Sequence, residues 1–434
     1  MILKLCAKII KDFKKEAFST ASIDLCRKSP RFFTRERKLN FPTLILFLIN
    51  FIKGSIQDEL DHFFMILLDK PLPVKHAVSS ALCQARDKLV PETFQYLGRI
   101  LVDSIYRHLP IQRWKGFRLV AVDGSTIRLP DNKSVRERFG GQGNSIGCFT
   151  PMAKVLSFFD PLNKFTIHST FNEYKADERS QLFESLSVFQ SNDLLLLDRG
   201  FPAFWLFSAI LNRNLSFLCR LPIGRWKIAK DLLQSGEKEA LVTIKPESRN
   251  KRTCKELNLP ISPITLRLVR VDIGNDQPEV LITTLTDKKA YSAAELGELY
   301  HQRWFVEEDF KLLKKRAMIE SFPAVTPEAI THHYYATLLA RNVSALLWFF
   351  PERRLREAET TNKLDYQVNK TLALSKVKDT IVPLFARSAS TVGRLLNDLL
   401  HIILGCASPI RPNRSFPRNK KRKSGVSMNY KQIR

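Results

Sequence analysis

The chain has 434 residues, enough for two to three domains, and its 44% apolar content with modest Gly and Pro excludes a disordered or fibrous protein. Lys and Arg total 69 against 43 Asp and Glu, so the net charge of +26 calls for a polyanionic partner, nucleic acid before an anionic membrane. The longest apolar stretch, "FPTLILFLINFIK" (41–53), is too short to cross a bilayer and is interrupted by Asn50, so it reads as a buried helix.

The N-terminus is basic and amphipathic without a continuous apolar segment and cleavage site, so a secreted product is not expected. The seven cysteines are scattered, odd in number and form no Cys-x-x-Cys pair, which fits a reduced cytoplasmic setting and argues against zinc. His332-His333 is the only histidine cluster and reads as structural.

From 1 to about 110 the apolar period is helical, with breaks at Pro30, Pro71, Pro73 and Pro91, predicting an all-helical N-terminal domain. Its stretch "VSSALCQARDKLVPETFQYLGRIL" fits two short helices presenting Arg86, Lys88 and Arg99, compatible with a helix-turn-helix DNA reader or with plain helical packing. At "FRLVAVDGSTIRLPD" the period becomes that of a strand. "AKVLSFFDP" and "KFTIHSTFN" follow as a hairpin turned at "DPLN". Next come helix "ERSQLFESLSVFQ", the apolar run "LLLLDRG", helix "PAFWLFSAILNRN" and strand "SFLCRL". The apolar run reads as a central strand buried on both faces, and the whole order as a mixed sheet covered by helices.

Residues 222–287 read as a β-rich insertion, with strands "EALVTIKP", "ITLRLVRVDI" and "PEVLITTLT" around the polar connection "KPESRNKRTCKELN". "SAAE" (292–295) has the spacing of a capping box and opens a helix expected to run on through "YHQRWFVEEDFKLLKK" (300–315). The Gly-rich "GGQGNSIG" (140–147) lacks the Gly-Lys-Ser/Thr ending of a phosphate loop and reads as a mobile loop. After a second aromatic-rich helix and a last helix through "GRLLNDLLHIILG", the segment 411–434 carries nine Lys or Arg and no acid, the composition of a phosphate-binding tail. The expected divisions are 1–110, 111–221, 222–287, 288–380 and 381–434.

Three acids fall where chemistry would want them. Asp123 ends the strand "RLVAVD" and Asp198 ends "LLLLD", so both belong on the rim formed by the carboxyl ends of neighbouring strands. Glu307 is the helical acid that would complete the set, although Glu308 beside it leaves the choice open. Phosphodiester cleavage by two metal ions needs carboxylates holding Mg²⁺ ions about 3.5–4 Å apart, and an oxygen-only donor set suits Mg²⁺ or Mn²⁺. On an unbroken helix, Tyr300, Arg303, Glu307, Lys311 and Lys314 form one stripe, an acid flanked by phosphate-binding groups. Taken singly, each acid is as well explained by a turn, a cap or a solvated pair with Lys311.

The spacing Tyr-x2-Arg-x3-Glu-x6-Lys, filled by Tyr300, Arg303, Glu307 and Lys314, resembles the signature of DDE transposases of bacterial insertion sequences, in insertion sequence family four. "DGSTIRLPD" resembles the first acidic block of that family and "DRGF" the second, with Ser125 where Thr is common, and Trp304 matches the Trp that follows the signature Arg. The resemblance covers roughly 117–316. It implies a ribonuclease-H-like α/β fold, a mixed sheet flanked by helices and interrupted by the β-rich insertion, with Asp123, Asp198 and Glu307 as catalytic metal ligands for Mg²⁺ or Mn²⁺. It further implies cleavage at transposon terminal repeats through a hairpin, strand transfer into target DNA, a homodimer, and a bacterial, nucleoid-associated location. Tyr300, Arg303, Trp304, Lys311 and Lys314 would then contact DNA, and Trp226 is a candidate for stacking on a flipped base. A nuclease of the same fold and a non-catalytic DNA-binding derivative are the other readings.

Overall fold

In the computed structural model the described residues are 2–52, 54–143, 149–271, 278–357 and 365–411. The part of the Gly-rich loop after 143 and the basic tail after 411 lie outside them. The chain forms two compact units: Met1–Pro110 with Ile127–Ala153 and Lys311–Arg434, and Ile111–Thr126 with Lys154–Phe310.

The first unit is mainly helical. Helices Ile2–Ala17 and Thr93–His108 pack against each other, and both meet the long helix Pro327–Glu357. The long helix is buried almost all round, as its aromatic-rich sequence requires. His332 is buried within it, its Nε2 2.9 Å from the Val90 carbonyl oxygen, so this half of the histidine pair is structural. Ser79–Arg86 and Thr93–His108 are the two helices anticipated around Arg86. Arg86 itself is only 6% exposed, its guanidinium turned towards Cys83 Sγ, and does not face solvent as a DNA reader would. Among the described residues no helix is long and apolar enough to cross a membrane.

The second unit is built on strands β1 (Arg118–Arg128), β2 (Gly141–Gly143), β3 (Phe149–Asp160), β4 (Phe165–Glu173), β5 (Asp193–Leu197), β6 (Ser216–Leu221), β7 (Glu239–Ile244), β8 (Ile264–Val271) and β9 (Glu279–Thr283), of which β2 and the ends of β1 and β3 run into the first unit. In sheet order they run β2-β3-β1-β5-β6-β9-β8-β7, with β4 on β3 as the expected hairpin. Asp160 closes that hairpin by accepting from the backbone N–H of Leu162 and Asn163, both at 2.9 Å. β1, β5 and β6 are parallel, while β6, β9, β8 and β7 alternate antiparallel, making a large mixed sheet. β5 is buried along its whole length between β1 and β6, in keeping with its uninterrupted leucines.

The strands expected as an insertion therefore do not form a sheet of their own. β9 pairs with β6, so the insertion widens the existing sheet. Two helices of this region were not anticipated. Lys227–Ser235 buries Ala229 and Leu232, while Ser248–Glu256, read from sequence as a polar connection, is a helix that buries only Cys254 and so has almost no apolar stripe to betray it.

The register of β1 on β5 is fixed at its start. Arg118 lies opposite Asp193, and its guanidinium donates to both carboxylate oxygens, at 2.7 and 2.5 Å, with Asp193 wholly buried. Asp193 also accepts from the Gln190 N–H at 2.9 Å. Removing one partner of such a pair leaves a charge buried and unmatched, a loss of about 3–5 kcal/mol. Arg118→Met is therefore expected to lower the unfolding free energy from urea denaturation by a corresponding amount; a change below about 1 kcal/mol would show that the pair does not hold the register.

His168 on β4 gives the sheet an acid limit. Burial against Phe158 pushes its pKa down from 6.5 to about 4. Between those values the unfolded chain binds a proton that the folded chain refuses, so stability is complete above pH 6.5 and falls as pH drops towards 4. The loss is at most about 3 kcal/mol, and His168→Phe should abolish it in denaturation curves taken at pH 7 and pH 4.5. An equally steep fall in that variant would assign the acid limit to other groups.

Candidate active site

The register continues through Val122 opposite Leu197, the last paired residues before the two acids. Asp123 and Asp198 follow directly, on adjacent parallel strands whose spacing is about 4.8 Å. Asp198 opens a tight turn in which the Phe201 N–H donates to the Asp198 carbonyl at 3.0 Å, with Phe201 buried as its anchor.

The helical part of the site departs from expectation. The capping box is present: Ser292 Oγ accepts from the Glu295 N–H, and the Ser292 N–H donates to the Glu295 carboxylate. The helix it opens stops at His301, however, and a second begins at Trp304. Across the join the backbone bonds tighten to three-residue steps, Gln302 to Leu299 and Arg303 to Tyr300. The stripe read from sequence is thereby broken. Tyr300 turns inward, 3% exposed, and its hydroxyl donates to the Leu197 carbonyl at 3.3 Å, one residue before Asp198. Trp304 turns outward and is 55% exposed. Leu296, Leu299 and Phe310 are buried, while Phe305 is partly exposed. Of the adjacent acids, Glu308 is exposed, whereas Glu307 is half-buried and its Oε1 accepts from Arg303 Nη2.

Arg303 organises the carboxylates. It is 5% exposed, with Nη2 3.1 Å from Glu307 Oε1 and Nη1 3.8 Å from Asp123 Oδ1, and its guanidinium lies over the rings of Tyr300 and Trp304. Burial opposes its charge, but Tyr300, Asp198, Asp123 and Glu307 together hold its pKa above the ordinary value. Its Nε and Nη1 are buried without a hydrogen-bond partner. Asp123 shows the strain of the cluster from the other side. Its carboxyl is raised to about 7, by desolvation first and then by Glu307, Asp198 and Glu178, with Arg303 working in the opposite direction.

Glu178 is the acid that sequence reasoning missed. It opens the helix Glu178–Ser185 and reaches so close to β1 that a Cβ on Gly124 would lie 2.2 Å from its Oε1 and push the carboxylate aside. Lys154 Nζ donates to it at 3.2 Å. Lys311, exposed, and Lys314, half-buried, continue the Glu307 face further along the Trp304–Lys315 helix. Trp226 packs its ring 6.1 Å from Phe207 and is partly covered, leaving Trp304 as the more accessible aromatic.

Among the described residues no three His, Cys, Asp or Glu side chains stand within reach of one ion. The donor chemistry nonetheless fits a hard divalent cation: Asp123, Asp198 and Glu307 supply only oxygen, and their mutual repulsion is what a dication would relieve. Mg²⁺ at about 100 times its dissociation constant should add about 2.7 kcal/mol to the stability of the protein. Asp123→Asn should lose that gain in a thermal melt, and an undiminished Mg²⁺ response would place the ion elsewhere.

The family described as Transposase DDE domain matches residues 114–343. Transposase InsG for insertion sequence element IS4, from Escherichia coli (strain K12), is 22% identical over 344 residues, covering 78% of this chain and 75% of its own. The cryo-EM structure of the piggyBac transposase synaptic complex with hairpin DNA is 13% identical with a TM-score of 0.46, covering 96% of this chain and 88% of that one.

Proposed function

Because the chain belongs to the transposase DDE-domain family, we propose that it cuts DNA at the ends of an insertion sequence and joins the freed ends to target DNA. The observation that carries this reading is the pairing of Asp123 and Glu307 with Arg303 and the placement of Asp198 just after the adjacent strand, with burial first and the neighbouring acids after it raising the Asp123 carboxyl to about 7. Asp123, Asp198 and Glu307 would hold divalent metal, Mg²⁺ or Mn²⁺, which when bound supplies Lewis-acid activation of the phosphodiester and of the attacking water or hydroxyl.

The protein's own groups do the rest. Arg303, already desolvated and carrying unsatisfied donors, offers a guanidinium to phosphate oxygens, a bond that a planar fork makes well. Tyr300 bears on the Leu197 carbonyl and so positions Asp198. Lys311 and Lys314 serve as further phosphate contacts, and Trp304 offers an exposed ring for stacking on a base, worth about 1–3 kcal/mol where it occurs. Paired ends held by a homodimer and second-strand cleavage through a hairpin complete the proposal, in line with the family resemblance. A nuclease that cuts without joining is separated from it by the presence of strand-transfer products on a plasmid target.

Asp198→Asn tests the reading on DNA carrying the repeats that flank the reading frame. The substitution keeps the size of the side chain but removes its charge. Loss of Mg²⁺-dependent nicking with end binding retained is expected, whereas cutting at the parental rate would remove Asp198 from the reaction.

A further inference from the structure

A cavity of about 360 Å³ opens beside the acids within the second unit, lined by Lys154, Tyr174, Lys175, Glu178, Arg179 and Gly200 among others. Its cations come from two segments, β3 and the stretch 174–179. Lys154 stands on β3, Lys175 is exposed in the turn after β4, and Arg179 is the second residue of the helix Glu178–Ser185. Arg179 Nε donates to the Gly200 carbonyl at 2.8 Å, which ties this wall to the turn that follows Asp198. The inner end is marked by Glu178, which faces Gly124 and is electrostatically coupled to Asp123. The other acid of the lining, Asp177, is taken up in capping, its carboxylate accepting from Ser180 N–H at 2.9 Å.

A cavity of this size lies at the small end of ligand sites and cannot take a duplex groove. Three cations that close on a small polar space match one anionic group of a chain, and the wall shared with the Asp198 turn places that group next to the acids. We propose that Lys154, Lys175 and Arg179 form a clamp for the DNA phosphate adjoining the one that is cut. In this clamp Lys154 exchanges the Glu178 carboxylate for a phosphate oxygen. Glu178 keeps Lys154 oriented before DNA arrives, and its repulsion of phosphate at the inner end sets which phosphate may enter. The inference rests on the reading of the protein as a DNA-cutting transposase and adds the residues that fix the strand's position.

The test is a phosphate map. End DNA carrying one neutral methylphosphonate at a time is bound without divalent metal by the parent, Lys154→Ala and Lys154→Arg. In the parent, neutralising one phosphate next to the cleavage position should weaken binding about tenfold, the scale of one charge-assisted hydrogen bond. Lys154→Ala should weaken binding of unmodified DNA by a similar factor and clearly shrink the cost of that one methylphosphonate, while every other position keeps its cost. Lys154→Arg should restore the parental map, which an unfolded variant or a purely structural lysine would not do. If Lys154→Ala leaves the map unchanged, or no phosphate flanking the cut registers in the parent, the clamp is wrong. Because the map needs no cleavage, a parent that binds ends but never cuts them in Mg²⁺ would sink the transposase reading while the map still decides the clamp.

Discussion

The ion pair of Arg118 with Asp193 stands at the start of the parallel pairing of β1 with β5, and Asp123 and Asp198 follow directly where that pairing stops. Side chains alternate along a strand, so a slip of one residue would send one acid to the opposite face of the sheet. Two apolar strands, "LVAV" against "LLLL", contain little that would forbid such a slip. A buried bidentate pair does, because any other register leaves both charges unmatched. The placement of the two aspartates thus follows from a contact at the other end of the β1–β5 pairing.

What the sheet sets, Arg303 balances. Carboxylates this close repel, and burial makes each charge more costly; in such surroundings one of them either takes up a proton or finds a cation. Here a guanidinium from the join between two helices provides the positive charge, and Asp123 still titrates near neutral pH. The join itself serves the geometry. Its tighter turn lets Tyr300 point into the core beneath Asp198 while Arg303 and Glu307 face the acids and Trp304 faces outward. A continuous helix would have put Tyr300 on the same side as the others.

Much of this was legible in the chain. The change from helical to alternating period located the strands, their apolar runs ended at Asp123 and Asp198, and a polar rim was the only sensible place for both. Other features left no local trace. No Gly or Pro marks the break at Gln302, so the helix read as unbroken and Tyr300 as a surface donor. Glu178 looked like an ordinary first-turn acid, because its nearness to Asp123 arises from tertiary packing against Gly124. The insertion strands read correctly as strands, but their membership of the main sheet depends on β9 returning to β6 past two intervening helices and the strands β7 and β8, which no short-range pattern encodes.

The most direct measurement replaces Mg²⁺ with Fe²⁺ and lets ascorbate and peroxide generate hydroxyl radicals at the bound ion, cutting the backbone nearby. The account predicts fragments ending near 123, 198 and 307 together, all suppressed by excess Mg²⁺ and by Asp198→Asn. Cuts confined to other segments, or at one of these three without the others, would contradict a shared metal site and with it the mechanism built on these acids.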